Sequence, residues 1–291
     1  MNKEELLRYE SASLVIEKDR VLTFSNISCP LGCRYCFANE IVRHFQDNKG
    51  AYLSEEQFQL LEQLPPDITS IMLGCDTEFL QNKTQALRTM VRLSTIGKDL
   101  SVITKLSLDD ELIASLARIN STMKANGSFL LFSVSLACTD SKNTWEPGVS
   151  SVAARAMTLR KATCAGIDTM VAIRPLIPTV ARCELDEIVD MTKDYTFGYY
   201  SGPLYLKELD DSIITTAELD ALGCVVSKEA EDVKWMPDGN KFLRIDTPDL
   251  LAYLKDKVEH SGRILFEGAA DGMNYLRRCK YAQHRNKGHC I

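Results

Sequence analysis

Apolar positions along the chain alternate between two rhythms. Short β-branched and apolar runs, the mark of strands, occur at residues 21–27, 69–73, 101–104, 129–136, 169–173 and 197–200. Between them, apolar residues recur at helical spacing over 54–64, 84–95, 108–119, 150–165 and 184–195. The first of these helices opens on a capping-box pattern, Ser54 with Gln57 three residues on, followed by Phe58, Leu61 and Leu64, and Pro65-Pro66 closes it. The run from Phe129 to Leu136 is nearly continuous in apolar residues, as expected of a strand buried on both faces of a parallel sheet. Strand and helix alternate at least five times, which predicts an α/β fold of βαβ units with right-handed crossovers.

After residue 200 the alternation weakens, and Ser201-Gly202-Pro203 reads as a break. The expected organisation is therefore a main domain over 1–200 and a C-terminal extension over 201–291 packed on it. The extension shows a short helical patch at 216–222, the segment 233–236 before a Pro-Asp-Gly turn, a helix over 248–259 and a last strand at 263–266. With 45% hydrophobic and 25% charged residues the chain has the composition of an ordinary globular protein. A net charge of −6 argues against broad electrostatic capture of nucleic acid, which needs Lys and Arg to displace counterions. A polar start and the lack of any apolar run of 18 residues predict a cytoplasmic protein. In that setting the ten cysteines read as thiols and metal ligands rather than disulfides.

Three cysteines stand apart from the rest. Cys29, Cys33 and Cys36 are separated by three and then two residues, just after the first strand, with Pro30 and Gly32 between them to turn the chain. Thiolates so placed hold three irons of a cubane iron–sulfur cluster and leave the fourth open to a small molecule. A structural zinc site is the alternative, but it takes four ligands in paired spacings, and no second pair follows closely.

The loop resembles the signature of radical S-adenosylmethionine enzymes. That resemblance implies a partial (β/α)6 TIM-like barrel with a C-terminal appended region, a [4Fe–4S] cluster, S-adenosyl-L-methionine bound at the open iron, and its reductive cleavage to a 5′-deoxyadenosyl radical. It also implies an electron donor such as flavodoxin or ferredoxin. Tyr35 sits where the family places an aromatic residue beside the adenine. Over about residues 21–190 the chain is similar to the spore photoproduct lyase-like branch, through Gly74-Cys75-Asp76-Thr77-Glu78, Thr104-Lys105, Ser133 with Ser135, Glu146-Pro147 and Arg174-Pro175 with Pro178. On that reading Lys105 and Arg174 pair with the carboxylate of the cofactor, Ser133 and Ser135 reach its polar groups, and Glu78 accepts from its ammonium. Cys75 closes an apolar strand at the catalytic end of the barrel, and in the resembling lyases a cysteine nearby returns a hydrogen atom to the product radical. Cys138, Cys164, Cys183 and Cys224 read as small buried hydrophobes.

The branch suggests a nucleobase or nucleotide substrate, in the manner of a DNA-repair lyase, whereas the acidic charge favours a small metabolite. The tail carries Arg277, Arg278, Lys280, Arg285 and Lys287, with Tyr281 available for stacking, a pattern able to contact phosphates. Its Cys279, His284, His289 and Cys290 form an alternative set for zinc or a second cluster, and a non-catalytic metal-binding or regulatory protein would use the three loop cysteines and this tail for zinc.

Overall fold

The computed structural model describes residues 2–25, 27–39, 52–209, 214–233 and 241–281. Helix α1 (Lys3–Ser11) opens on a capping box between Asn2 and Glu5 and leads into a hairpin of β1 (Leu14–Glu17) and β2 (Arg20–Thr23). The expected alternation then follows as α2 (Glu55–Glu62), β3 (Ser70–Leu73), α3 (Lys83–Leu93), β4 (Asp99–Thr104), α4 (Asp110–Ala125) and β5 (Leu130–Ser135). It continues through the short α5 (Lys142–Trp145), α6 (Val152–Cys164), β6 (Asp168–Ile173), α7 (Arg182–Thr192) and β7 (Gly198–Ser201). The Ser54 cap forms as expected: its hydroxyl accepts from Gln57 N at 3.1 Å and Gln57 Oε1 accepts from Ser54 N at 2.8 Å.

Among the described residues, eight strands make one open sheet in the order β1-β2-β3-β4-β5-β6-β7, with Ile264–Phe266 at the far edge. Strands β2 to β7 pair in parallel, which is the expected partial (β/α)6 barrel. Helices cover the outer face, where Leu100, Val102, Leu130, Phe132, Val134 and Val171 are fully buried. The alternate residues face inward.

The chain beyond 201 contributes to both faces of this sheet. Elements β8 (Leu204–Leu206), α8 (Thr216–Ala221), β9 (Val225–Val226), β10 (Glu231–Asp232) and β11 (Lys241–Asp246) include a small antiparallel sheet. It meets the cysteine loop where Phe242 packs edge-on against Phe37, ring centroids 6.4 Å apart. Helix α9 (Pro248–His260) lies on α7, and β12 (Ile264–Phe266) pairs in parallel with β7. Helix α10 (Ala269–Cys279) then runs back along the inner face: Met273 and Leu276 pack with Leu131, Met170 and Ala172.

The end of α10 is tied to the N-terminal ends of the strands. Arg277 donates twice to Asp99, at 2.8 and 2.6 Å, Lys280 pairs with Asp168 at 2.5 Å, and Tyr281 donates to the same Asp168 while stacking on Phe129. Arg278 and Cys279 are exposed. Arg285, Lys287, His284, His289 and Cys290 lie outside the described residues, as do 234–236 of the expected segment before the turn. Of the four cysteines expected in the core only Cys138 is fully buried; Cys164 and Cys183 are exposed, because each sits at a helix end turned to solvent, and Cys224 is half-buried.

Candidate active site

The C-terminal ends of the barrel strands open into one cavity, with about 1180 Å³ of open space including its mouth. Cys29, Cys33 and Cys36 all line it, and so do Tyr35, Cys75, Glu78, Lys105, Ser135 and Arg174. Residues spread from 29 to 174 thus meet because they sit at the C-terminal ends of five parallel strands, β2 to β6, which is where barrel enzymes assemble their sites. Ser133 is the exception. It is fully buried and does not line the cavity, so it is not placed to reach a cofactor there.

Segment 145–148 braces the cysteine loop. Arg34 N donates to Trp145 O at 3.0 Å, the rings of Tyr35 and Trp145 lie 6.5 Å apart, and Gly148 sits so close to the loop that a Cβ there would overlap the Leu31 carbonyl. Among the described residues no three His, Cys, Asp or Glu side chains converge on a single-ion site. Cys29, Cys33 and Cys36 line one cavity, so their thiols are placed where a cubane, each of whose irons takes a different thiolate, could be held. Burial pushes the Cys33 thiol up to about 11, against the pull of Lys105, so the sulfur carries its proton at neutral pH.

Behind the loop lies a buried charge network. Glu146, with no exposed surface, accepts from Tyr35 OH, from Lys105 Nζ at 2.8 Å and pairs with Arg155 Nη1 at 2.8 Å. Arg155 is itself fully buried and also donates to Ser135 O at 2.6 Å. Burial alone would lift the Glu146 carboxyl, but Lys105 and Arg155 outweigh it and hold it down to about 2.

The same network changes the part expected of Lys105. Its ammonium has three donors, and they go to Tyr35 OH at 2.8 Å, Ser135 Oγ at 2.5 Å and Glu146 Oε1. Lys105 therefore serves here as a hub tying the cysteine loop to the barrel rather than presenting a free cation to a carboxylate. Glu78 is similarly engaged, accepting from Thr104 Oγ1 at 2.8 Å, Lys105 N at 2.8 Å and Leu80 N at 3.2 Å. In the sequence Glu146 figured only as part of the Glu146-Pro147 motif, with no role attached, and Arg155 did not stand out at all. The only signal was a charge at 155 on the helix face that also carries Ala156 and Leu159.

Cys75 is fixed relative to the cysteine loop from two sides. Its N–H donates to Thr23 O at 3.1 Å, and the neighbouring Asp76 accepts from Ser25 N at 3.0 Å and Ser25 Oγ at 3.1 Å, just before the loop begins. Gly74 makes the turn possible: its φ is +68° and a Cβ would stand 2.6 Å from Phe79 Cβ. Burial, with Asp76 adding to it, pushes the Cys75 thiol up to about 12, so the sulfur keeps its hydrogen at neutral pH.

Solved structures share this architecture. A single-substitution variant of spore photoproduct lyase superposes with a TM-score of 0.58 at 14% identity, covering 81% of this chain and 73% of that one. The fold is that of spore photoproduct lyase. Spore photoproduct lyase complexed with dinucleoside spore photoproduct matches at a TM-score of 0.56 and 15% identity, over 91% of this chain and 85% of that one. A double variant of spore photoproduct lyase with bound AdoMet and the same dinucleoside matches at 0.55 and 14%, over 81% and 73%. No family model matches the chain, and no curated protein matches it in sequence.

Proposed function

We propose that this protein is a radical S-adenosylmethionine enzyme acting on a small molecule, such as a nucleotide or a metabolite, admitted to the cavity between the cysteine loop and Cys75. The observation that carries the reading is the convergence of Cys29, Cys33, Cys36 and Cys75 on a single cavity at the C-terminal ends of the strands. Cys29, Cys33 and Cys36 would hold a [4Fe–4S] cluster, which when reduced by an external donor of the flavodoxin or ferredoxin class supplies the electron that cleaves S-adenosyl-L-methionine to a 5′-deoxyadenosyl radical.

This chain's own residues then have separate tasks. Tyr35, held by Glu146 and Lys105, sets the loop's orientation and presents its backbone to the cofactor. Ser135 and Glu78 supply polar atoms on the cofactor side of the cavity. Cys75 holds a transferable hydrogen for the product radical, in the role that the lyase-like branch gives to a cysteine nearby.

A substrate that enters the cavity is favoured over nucleic acid captured by the basic tail, since Arg277, Lys280 and Tyr281 are bonded to Asp99 and Asp168 at the opposite end of the barrel. The deciding experiment is anaerobic reconstitution of the full chain. About four irons per chain are expected by elemental analysis, with a cubane signal in electron paramagnetic resonance and release of 5′-deoxyadenosine on reduction with S-adenosyl-L-methionine present. A protein that instead retains one zinc and takes up no iron is the metal-binding alternative.

A further inference from the structure

The charges behind the cysteine loop do not cancel. The side chains of Lys105, Glu146 and Arg155 are 17%, 0% and 0% exposed, and Glu146 pairs with each cation at 2.8 Å. One carboxylate between two cations leaves a positive charge in excess. Arg155 gives its Nη1 to this carboxylate and to Ser135 O, while its Nε and Nη2 have no hydrogen-bond partner among the described residues. Charges so buried are screened little by salt, unlike that of Arg34, which is exposed on the cysteine loop.

The excess lies against the three cysteines. Lys105 Nζ is 2.8 Å from the hydroxyl of Tyr35 and 5.3 Å from the centre of its ring, and Tyr35 stands between Cys33 and Cys36 in the chain. Lys105 also lines the cavity that Cys29, Cys33 and Cys36 line. The fold fixes this placement from two strands. At the end of β4, Glu78 accepts from Thr104 Oγ1 and from Lys105 N, both at 2.8 Å, and at the end of β5, Ser135 O holds Arg155 at 2.6 Å. The potential of an iron–sulfur cluster depends on the charge around it as well as on hydrogen bonds and exposure. Reduction makes the cluster one unit more negative, so a fixed positive excess nearby favours the reduced form.

We propose that Lys105, Glu146 and Arg155 together set the reduction potential of the cluster held by Cys29, Cys33 and Cys36, their surplus positive charge raising it so that an external donor can deliver the electron. The step is the transfer of one electron from a donor of the flavodoxin or ferredoxin class to the cluster; no bond forms or breaks and no proton moves. Lys105 acts here through its field, in addition to its part as a brace for the loop. The inference rests on the cluster reading given under the proposed function.

The test is a redox titration of the anaerobically reconstituted full chain without S-adenosyl-L-methionine, at one pH and ionic strength, with the reduced cluster read by electron paramagnetic resonance. Lys105→Gln keeps a hydrogen-bond donor and removes the charge. At the wild-type midpoint its ratio of reduced to oxidised cluster should fall about threefold or more, which is about 30 mV at about 59 mV per tenfold. Arg155→Gln should lower the ratio in the same direction while leaving the bond from Lys105 to Tyr35 in place, and either variant carries the comparison if the other fails to fold or to load iron. Lys105→Arg restores the charge and should recover most of the loss. Glu146→Gln, where it folds, leaves both cations unopposed and should raise the ratio about threefold. The opposite signs separate charge from looseness, because a loop that merely came free would shift all the variants the same way. The inference is overturned if a variant without one of the cations loads about four irons and titrates at the wild-type midpoint or above it, or if Lys105→Arg shifts as far as Lys105→Gln; the group would then be a brace alone. A wild type that loads no iron overturns the cluster reading and this inference together, so iron content tells the two failures apart.

Discussion

Glu146→Gln should destabilise the protein severely although it keeps the shape of the side chain. Glu146 has no exposed surface and neutralises two cations, Arg155 at 2.8 Å and Lys105 at 2.8 Å. Two independent estimates of the cost agree. A carboxyl held down to about 2 when folded, against an ordinary 4.5, contributes about 3–4 kcal/mol at neutral pH, taking about 1.4 kcal/mol for each pH unit. Removing one partner of a buried ion pair costs about 3–5 kcal/mol, because the other charge is left buried and uncompensated. The folded carboxyl is the stronger acid, so the contribution is complete above the unfolded value of 4.5 and is lost as pH falls toward 2. Urea unfolding of the full chain, followed by circular dichroism under reducing conditions, reads both effects. With an m-value of about 3 kcal/mol per molar, the neutral-pH midpoint should fall by roughly 1 M. Between pH 4.5 and the acid limit the wild type should lose stability more steeply than the variant. A midpoint within roughly 0.3 M of wild type, together with an unchanged acid slope, would refute the argument that Arg155 depends on this carboxylate.

Other outcomes follow from the same geometry. Gly148→Ala must displace the Leu31 backbone, so it should lower iron retained after anaerobic reconstitution well below that of wild type while leaving far-UV circular dichroism unchanged; normal iron content would show that the loop tolerates the shift. Cys75→Ser should leave cluster assembly and S-adenosyl-L-methionine cleavage intact yet yield aberrant products, because an O–H bond is too strong to release a hydrogen atom to carbon. Wild type in deuterated water should place deuterium in the product, and a normal product from the serine variant at normal rate would reduce Cys75 to packing. Arg277→Ala should cost about 2–3 kcal/mol in urea unfolding, since Asp99 is almost fully buried and loses a two-bond partner; a change under about 0.5 kcal/mol would mean that α10 does not need this anchor.

The alternating core of the fold was readable from the chain because parallel strands buried on both faces, such as 129–136, leave long apolar runs that no exposed element imitates. The N-terminal hairpin was not. Its turn passes through Lys18 at φ +56°, with none of the Asn-Gly or Gly pairs that announce such turns. The strand at 264–266 was expected, but its place beside β7 was not, since pairing partners separated by about sixty residues share no local pattern. Helix α10 was hidden by its own end: Arg277, Lys280 and Tyr281 look like a basic tail in sequence, and only the fold shows Asp99 and Asp168 waiting for them.

Within the site, legibility followed the distance over which each feature is specified. The cysteine triplet is encoded in eight consecutive residues, and its placement after a strand follows from local pattern. Charged side chains at strand ends could be placed at the cavity, but a residue type names a location and not a partner. Lys105 and Arg174 show the difference, for both are cations beyond the ends of inner-sheet strands and both were expected at the cofactor carboxylate. Strand β4 delivers Lys105 among Tyr35, Ser135 and Glu146, where its three donors are engaged, while β6 delivers Arg174 to the cavity lining beside Gly202. The partner that makes Lys105 structural, Glu146, lies in the connection between β5 and α6, and Lys105 and Arg155 together keep it charged. Lys105 is therefore made a brace by a pair of buried charges that a linear reading takes for solvated surface.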